Sequence, residues 1–250
     1  MANVPKVLYK YLKPCRGEVF LVRPQLRFTN FVNLDDVLEV VPGQRPLTRH
    51  ELAKIAAHDA KITGRSIEEC RKNALAHSES PWWGRALRDK FKNGPPILCI
   101  TCLTERWDSD GMWAIYADNH RGLVFGVHTE SLPKRIGAWG KVRYRRNRPL
   151  LPTQETAYAR VRLSKVLEKA AFTKSLNWEH QKEWRATSAT EGSEAIDPPA
   201  VAEIIIGYEA SQELEKLALG FKKLSPSTRV FRAYPHPQRY IMKRKELWPT

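Results

Sequence analysis

Lys174-Ser175-Leu176-Asn177-Trp178-Glu179-His180-Gln181-Lys182-Glu183-Trp184-Arg185 is the stretch on which a reading of this chain turns. Two tryptophans, two carboxylates and three cations crowd into it, where helical spacing of apolar residues gives way to alternation. If residues 181–187 form a strand, Gln181, Glu183 and Arg185 share one face, and Lys182, Trp184 and Ala186 share the other. One face then carries an amide, a carboxylate and a guanidinium in a row, while Trp184 anchors the opposite face in apolar surroundings. The plainer alternative is a Glu183–Arg185 pair on a solvated edge strand, worth less than about 1 kcal/mol.

Working outward, residues 7–11 read as a strand and residues 18–28 as extended structure broken at Pro24. Thr48 with Glu51 makes a capping box, and Leu52, Ile55 and Ala56 follow at helical spacing. Gly64 breaks that helix, Ser66 caps another to about His77, and Pro81-Trp82-Trp83 opens a third. Residues 97–103 and 122–127 read as buried strands, residues 112–117 as a helical turn, and residues 141–144 as a basic strand. A long helix over 153–169 is capped by Thr153, with Thr156, Val161 and Val166 on its less exposed side. Strands at 202–206, 229–233 and 239–243 and a Ser211-capped helix to Leu219 complete the chain, with residues 189–199 as loop. Such an order predicts α+β: a mixed, mainly antiparallel sheet core, one domain over residues 1–250, and a helical insertion at about 48–93.

The 42 Lys and Arg against 27 Asp and Glu give a net charge of +15, which points to nucleic acid or another polyanion as partner. General solubility is the alternative use of such charge. No apolar run approaches the roughly 20 residues that span a bilayer, so no membrane partner is expected. The N-terminus lacks the apolar core of a signal peptide, which makes cytoplasmic residence the expectation. Cys15, Cys70, Cys99 and Cys102 form no disulfide framework. Cys99 and Cys102 match C-x-x-C by letters, but on a strand their sulfurs face opposite ways and no second ligand pair follows, so no metal is predicted.

Leu8-Tyr9-Lys10-Tyr11, residues 112–122 (Met-Trp-Ala-Ile-Tyr-Ala-Asp-Asn-His-Arg-Gly), Lys174-Ser175, Trp178-Glu179, Glu183-Trp184-Arg185 and Ile204-Ile205-Ile206-Gly207 together resemble a bacterial family of unknown function, DUF2971. The chain departs from the family at Asn33-Leu34-Asp35-Asp36, where Asn-Asp-Pro is usual, and at Ile115, where a His is usual. The resemblance implies no activity.

Chemistry must therefore come from the residues. Tyr116 and His120, four apart, would share a helix face at the rim of a pocket, the ring stacking on a base or nicotinamide and the imidazole donating to a ribose or phosphate. Asp118-Asn119 ending the helix, with Gly122 releasing the chain into a strand, is the structural alternative. Gln181-Lys182-Glu183 is similar to the Q-x-E motif of ADP-ribosyltransferases, in which the Glu stabilises a ribosyl cation and the residue two before it orients the acceptor. That superfamily presents a basic residue from an early strand and a Ser/Thr strand next. Here Tyr9-Lys10-Tyr11 or Arg27, then Thr101 and Thr104, stand in that order, with Trp113 and Thr101 beside Tyr9 and Lys10 as NAD-binding candidates. Lys141, Arg143, Tyr144, Arg145, Arg146 and Arg148 interleave cations with a ring, as a nucleic-acid surface does. Residues 239–245 repeat that composition, and two such segments on one face would form a groove. The leading expectation is an NAD-using ADP-ribosyltransferase-like enzyme acting on or near nucleic acid, in the manner of a toxin or defence effector that would be accompanied by a cognate regulator or antitoxin. The alternatives are a non-catalytic nucleic-acid-binding module and a metal-dependent nuclease built on Asp108-Asp110 or Asp35-Asp36.

Overall fold

The computed structural model describes residues 4–34, 36, 38–43, 46–78, 83–92, 94, 96–132, 137–150 and 160–248. The expected features at Asp35, Pro81-Trp82, Thr153 and Thr156, and the side chain of Val161, lie outside the described residues.

The chain begins with strand β1 (Val7–Leu12) and helix α1 (Pro14–Val22), then β2 (Gln25–Asn30). The extended reading of residues 18–28, broken at Pro24, holds over residues 25–28 and is corrected over 18–22, which are helical. Pro14 pre-sets the first helical turn, and Gly17, Phe20 and Leu21 recur at helical spacing to bury one face. The helix stops at Arg23, which is extended (φ −139°) because Pro24 follows.

Helices α2 (Arg49–Thr63), α3 (Ile67–Ser78) and α4 (Trp83–Lys92) come next. The Thr48–Glu51 capping box forms, and Gly64 ends α2 in the left-handed region (φ 71°) that glycine adopts without steric cost. The Ser66 hydroxyl accepts the Glu69 amide at the start of α3.

Then follow β3 (Cys99–Thr104), α5 (Asp110–Tyr116) and β4 (Leu123–His128). The basic strand expected at 141–144 is divided between β5 (Trp139–Lys141) and β6 (Arg143–Arg145), with Val142 buried between them. Helix α6 (Arg160–Ala171), β7 (Thr173–Ser175), β8 (Glu183–Ser188) and β9 (Gly192–Ala195) follow. β9 pairs with β2, so the loop expected over 189–199 contains a strand. Last come β10 (Val201–Ile206), α7 (Gln212–Gly220), β11 (Arg229–Pro235) and β12 (Met242–Glu246). The Ser211 cap forms, and the final strand starts three residues later than expected.

The main sheet runs β12-β11-β10-β4-β1-β3-β2-β9, with β8 on β3 and β5 on β8. Its ladders are antiparallel except β10–β11, which are parallel with α7 as the crossover, and β6–β7 form a separate parallel pair. The fold is α+β with a mixed, mainly antiparallel sheet. Period-2 alternation places the core on both faces. Leu123, Phe125, Trp184, Ile204 and Ile206 bury one face with α1 and α7. Val124, Ile205 and Phe231 bury the other with Trp113 of α5, while Ile100 and Leu167 of α6 form a neighbouring cluster. Among the described residues, no helix is long and apolar enough to cross a membrane.

One edge of β3 is shared. β2 takes Cys99 and Ile100, β1 takes only Thr104, and β1 and β2 diverge between them. Lys10 fills that split: its Nζ donates to Thr101 Oγ1 (3.2 Å) and to the Cys102 carbonyl (2.9 Å). The other edge of β3 pairs with β8 through all six residues, and that ladder carries Glu183 to the split.

Candidate active site

A cavity of about 680 Å³ opens where the sheet divides. Tyr9, Lys10, Tyr116, Trp178, Gln181 and Glu183 are among the residues that line it. Five of these six were expected site residues; Trp178 lay in the opening stretch without an assigned role.

Glu183 lines it and is 4% exposed. Arg185 Nε donates to Glu183 Oε1 (2.7 Å), and Lys174 Nζ donates to Oε2 (2.9 Å). Arg185, with 0% exposure, also donates to the Ala171 carbonyl (2.6 Å) and pairs with Glu39. Glu39 lies 3.3 Å from Lys174 as well, so two carboxylates and two cations form one buried cluster. A solvated edge pair would be worth little; here each charge loses water and depends on its partners. Burial alone would raise the Glu183 carboxyl, but Arg185 and Lys174 outweigh it and hold it down at about 2. Burial would lower Lys174, yet Glu183 and Glu39 raise it above its ordinary value. Both therefore remain charged at neutral pH.

The row of Gln181, Glu183 and Arg185 is real, but its geometry differs from a continuous strand. Gln181 ends a 3-10 turn (Leu176–Gln181) and Lys182 adopts left-handed backbone (φ 44°) before β8 begins. The side chain still joins the site. Gln181 Oε1 accepts from Lys174 Nζ (2.8 Å) and Nε2 donates to Tyr116 Oη (2.9 Å). Being buried with both ends engaged, Gln181 is a strut between Lys174 and Tyr116 rather than a free group for an acceptor. Thr104 locks the same turn by donating to the Gln181 carbonyl (2.6 Å).

Lys10 is half-buried at the split, and burial lowers its pKa. Thr101 is its acceptor in the sheet and does not reach the cavity lining. Tyr9 lines the cavity and donates its hydroxyl to Glu203 Oε1 (2.7 Å), which also pairs with Arg244. The Cys102 thiol beside Glu183 is pushed up to about 12 by burial and stays protonated.

Three expected residues lie elsewhere. Helix α5 ends at Tyr116, and Asp118, Asn119 and His120 are all left-handed (φ 52°, 51° and 65°), so His120 does not share a helix face with Tyr116. His120 Nε2 faces Asp110 Oδ1 at 3.3 Å, and its ring stacks on Trp113 with centroids 5.9 Å apart. Trp113 itself is wholly buried and donates Nε1–H to the Trp107 carbonyl (2.7 Å), which makes it core rather than a cofactor contact. Arg27 is exposed in β2 and is not among the lining residues of this cavity.

The basic segment adjoins the site. The Tyr144 hydroxyl accepts the Glu183 backbone N–H (2.8 Å), so this tyrosine supports β8 instead of offering a free ring. Lys141 is committed to Glu105 at 2.6 Å. Arg143, Arg145, Arg146 and Arg148 are exposed and have no carboxylate partner among the described residues. The second basic segment, at 239–245, forms the β12 edge at the far end of the sheet, so the two do not line one groove.

Glu39, which nothing in the local sequence singles out, comes from a strap between the 3-10 turn Phe31–Asn33 and Gly43. Arg88 of α4 donates to the Val32 carbonyl of that turn and to three carbonyls of the strap, those of Leu34, Asp36 and Glu39. The strap closes with left-handed Val40 (φ 59°), a conformation that costs a β-branched residue about 1–2 kcal/mol. Asp36 Oδ1 accepts from the Leu38 amide, Asp108 from Arg106, and Asp110 faces His120. Among the described residues no group of three or more His, Cys, Asp or Glu could hold a metal ion.

The model of a family described as "Protein of unknown function (DUF2971)" matches residues 112–186. The matched span runs from α5 to β8 and carries Tyr116, Lys174, Trp178, Gln181, Glu183 and Arg185, so the resemblance read from the sequence stands over those residues. Comparison with curated proteins and with solved structures gives no match.

Proposed function

We propose that the protein is an ADP-ribosyltransferase-like enzyme that takes NAD into the cavity at the sheet split and acts on or near nucleic acid. The observation that carries this reading is an ionised Glu183 facing a ring-lined cavity of about 680 Å³, a size suited to a nucleotide-scale ligand. Its role would be electrostatic. As the bond between ribose and nicotinamide breaks, the electron pair leaves with the nicotinamide and positive charge develops on the ribose. A carboxylate already charged and fixed by Arg185 and Lys174 stabilises that charge without reorganising. Tyr116, held through Gln181, and Trp178 supply ring faces for the nicotinamide or base, and Lys10 supplies a cation for a hydroxyl or phosphate. The acceptor atom then bonds to the ribose carbon and gives up its proton to solvent.

The test is incubation with NAD labelled in its adenylate portion, together with RNA, DNA and protein. Nicotinamide release with label transfer is expected. Glu183→Gln, checked for folding by circular dichroism, should reduce the rate by about 100-fold or more, and Trp178→Ala should raise the KM for NAD. If no mixture consumes NAD, the proposal fails.

A second reading, a non-catalytic nucleic-acid-binding module, is favoured by the exposed arginines at 143–148, which have no carboxylate partner among the described residues. It predicts polyanion binding without NAD consumption. Reversing Arg145, Arg146 and Arg148 to Glu should weaken such binding steeply and flatten its salt dependence.

A further inference from the structure

Two more hollows continue from the Glu183 cavity. The first, about 540 Å³, shares Asp36, Leu38, Glu39, Lys174 and Ser175 with it. The second, about 880 Å³, shares Arg145, Asn147, Arg148, Pro149 and Thr173 with the first. The three follow one another along the surface, separated by the Glu39–Lys174 wall and then by the arginine turn.

Chemistry changes along that course. Arg145, Arg146 and Arg148 line the middle hollow, with guanidinium groups that no described carboxylate occupies. A free guanidinium fork matches phosphate oxygens in pairs. In the last hollow the half-buried rings of Trp139 and Phe172 take over. Trp139 leans on buried Trp184 with centroids 5.0 Å apart, and Phe172 packs on the α6 cluster, so neither ring is free to turn away. Fixed, half-open rings suit the flat face of a base. Of the described carboxylates on this course, Glu39 is engaged by Arg185 and Lys174, which leaves Asp36 and Glu168 against the exposed arginines.

A ligand that satisfies both ends must carry a row of phosphates and expose base faces. A duplex offers the first and hides the second. We infer that single-stranded nucleic acid lies along these two hollows, its phosphates on Arg145, Arg146 and Arg148 and a base against Trp139 and Phe172. The strand is thereby led past Glu39 toward Glu183 as the acceptor. Only this last step rests on the NAD reading; the binding does not.

The test is fluorescence anisotropy with a labelled mixed-sequence single strand of about a dozen nucleotides and with the matching duplex. Phe172→Leu and Trp139→Leu keep apolar volume and remove a ring. Each should weaken single-strand binding about 5- to 100-fold, as loss of one stacked base does, and leave binding of inorganic polyphosphate unchanged. Phe172→Tyr should restore it, which a loss of folding would not allow. Arg148→Glu should weaken both ligands. Equal affinity for duplex and single strand, or indifference of the single strand to both ring variants, overturns the groove. Strand binding without nicotinamide release overturns the NAD reading and leaves the groove standing. Nicotinamide release with no strand binding does the reverse.

Discussion

Glu183 keeps its charge where burial would ordinarily remove it, because Arg185 and Lys174 donate to its two carboxylate oxygens. Its folded carboxyl lies near 2 against an ordinary 4.5. A carboxylate depressed in the folded state contributes stability that is present above the unfolded value and lost as pH falls toward the folded one. Glu183→Gln leaves Arg185 only partly compensated by Glu39. At pH 7 it should cost about 3 kcal/mol, or roughly 6–12 °C in Tm for a chain this size. The gap to the parent should narrow as pH drops from about 4.5 to about 2, since the parent loses the same contribution. Melting curves over that range check it; a gap that does not change with pH would mean that the ion cluster is not the source. At this scale the sequence was legible in part. Alternation put Glu183 and Arg185 on one face opposite Trp184, and that is where they lie. Gln181 escaped the alternation because left-handed Lys182 intervenes, and Lys174 and Trp178 were visible but had no role until the 3-10 turn folded them back.

Elements with strong local signals formed as read: the capped helix α2, the Ser211-capped α7, and the apolar strands β3, β4 and β10. Elements whose identity depends on a distant surface did not. α1 was read as extended because its Val and Phe content favours a strand, and burial of Phe20 and Leu21 against Phe125 and Leu214 overrides that preference. β9 reads as loop because Gly192-Ser193-Glu194 has no strand propensity, and it exists by pairing with β2. The left-handed turn at Asp118, Asn119 and His120 is likewise held from outside. Gly207 packs directly on the His120 carbonyl, the Glu209 amide donates to that same carbonyl (3.0 Å), and Gly207 N–H donates to Gly122. A Cβ at position 207 would collide with backbone rather than with a side chain that could move. Gly207→Ala should therefore cost more than about 3 kcal/mol, at the extreme of single substitutions. Denaturant unfolding measures it, and a loss under about 1 kcal/mol would show that the turn yields.

On the scale of the molecule, helix α4 supports the site through Arg88. Arg88 gathers four carbonyls of the turn and strap that deliver Glu39, and hydrogen bonds to a charged donor are worth about 1.5–3 kcal/mol each. Arg88→Ala should lower Tm by about 6 °C or more and, under the proposed function, reduce NAD consumption as Glu39 leaves the cluster. Arg88→Lys, with a single point charge in place of a fork, should rescue little. Full activity in Arg88→Ala would show that the strap holds without it.

The amino-acid sequence by itself determined the α+β class, the capped helices, the strands with apolar alternation, the cationic surface and the row that contains Glu183, since each depends on neighbours within a few residues. Only the tertiary structure decided that His120 and Trp113 leave the site, that Tyr144 supports a strand, and that Glu39, 146 residues from Arg185, completes the ion cluster. Those placements depend on which strands diverge and on which backbone groups a remote arginine captures, and contacts at such separation leave no periodic trace in the chain.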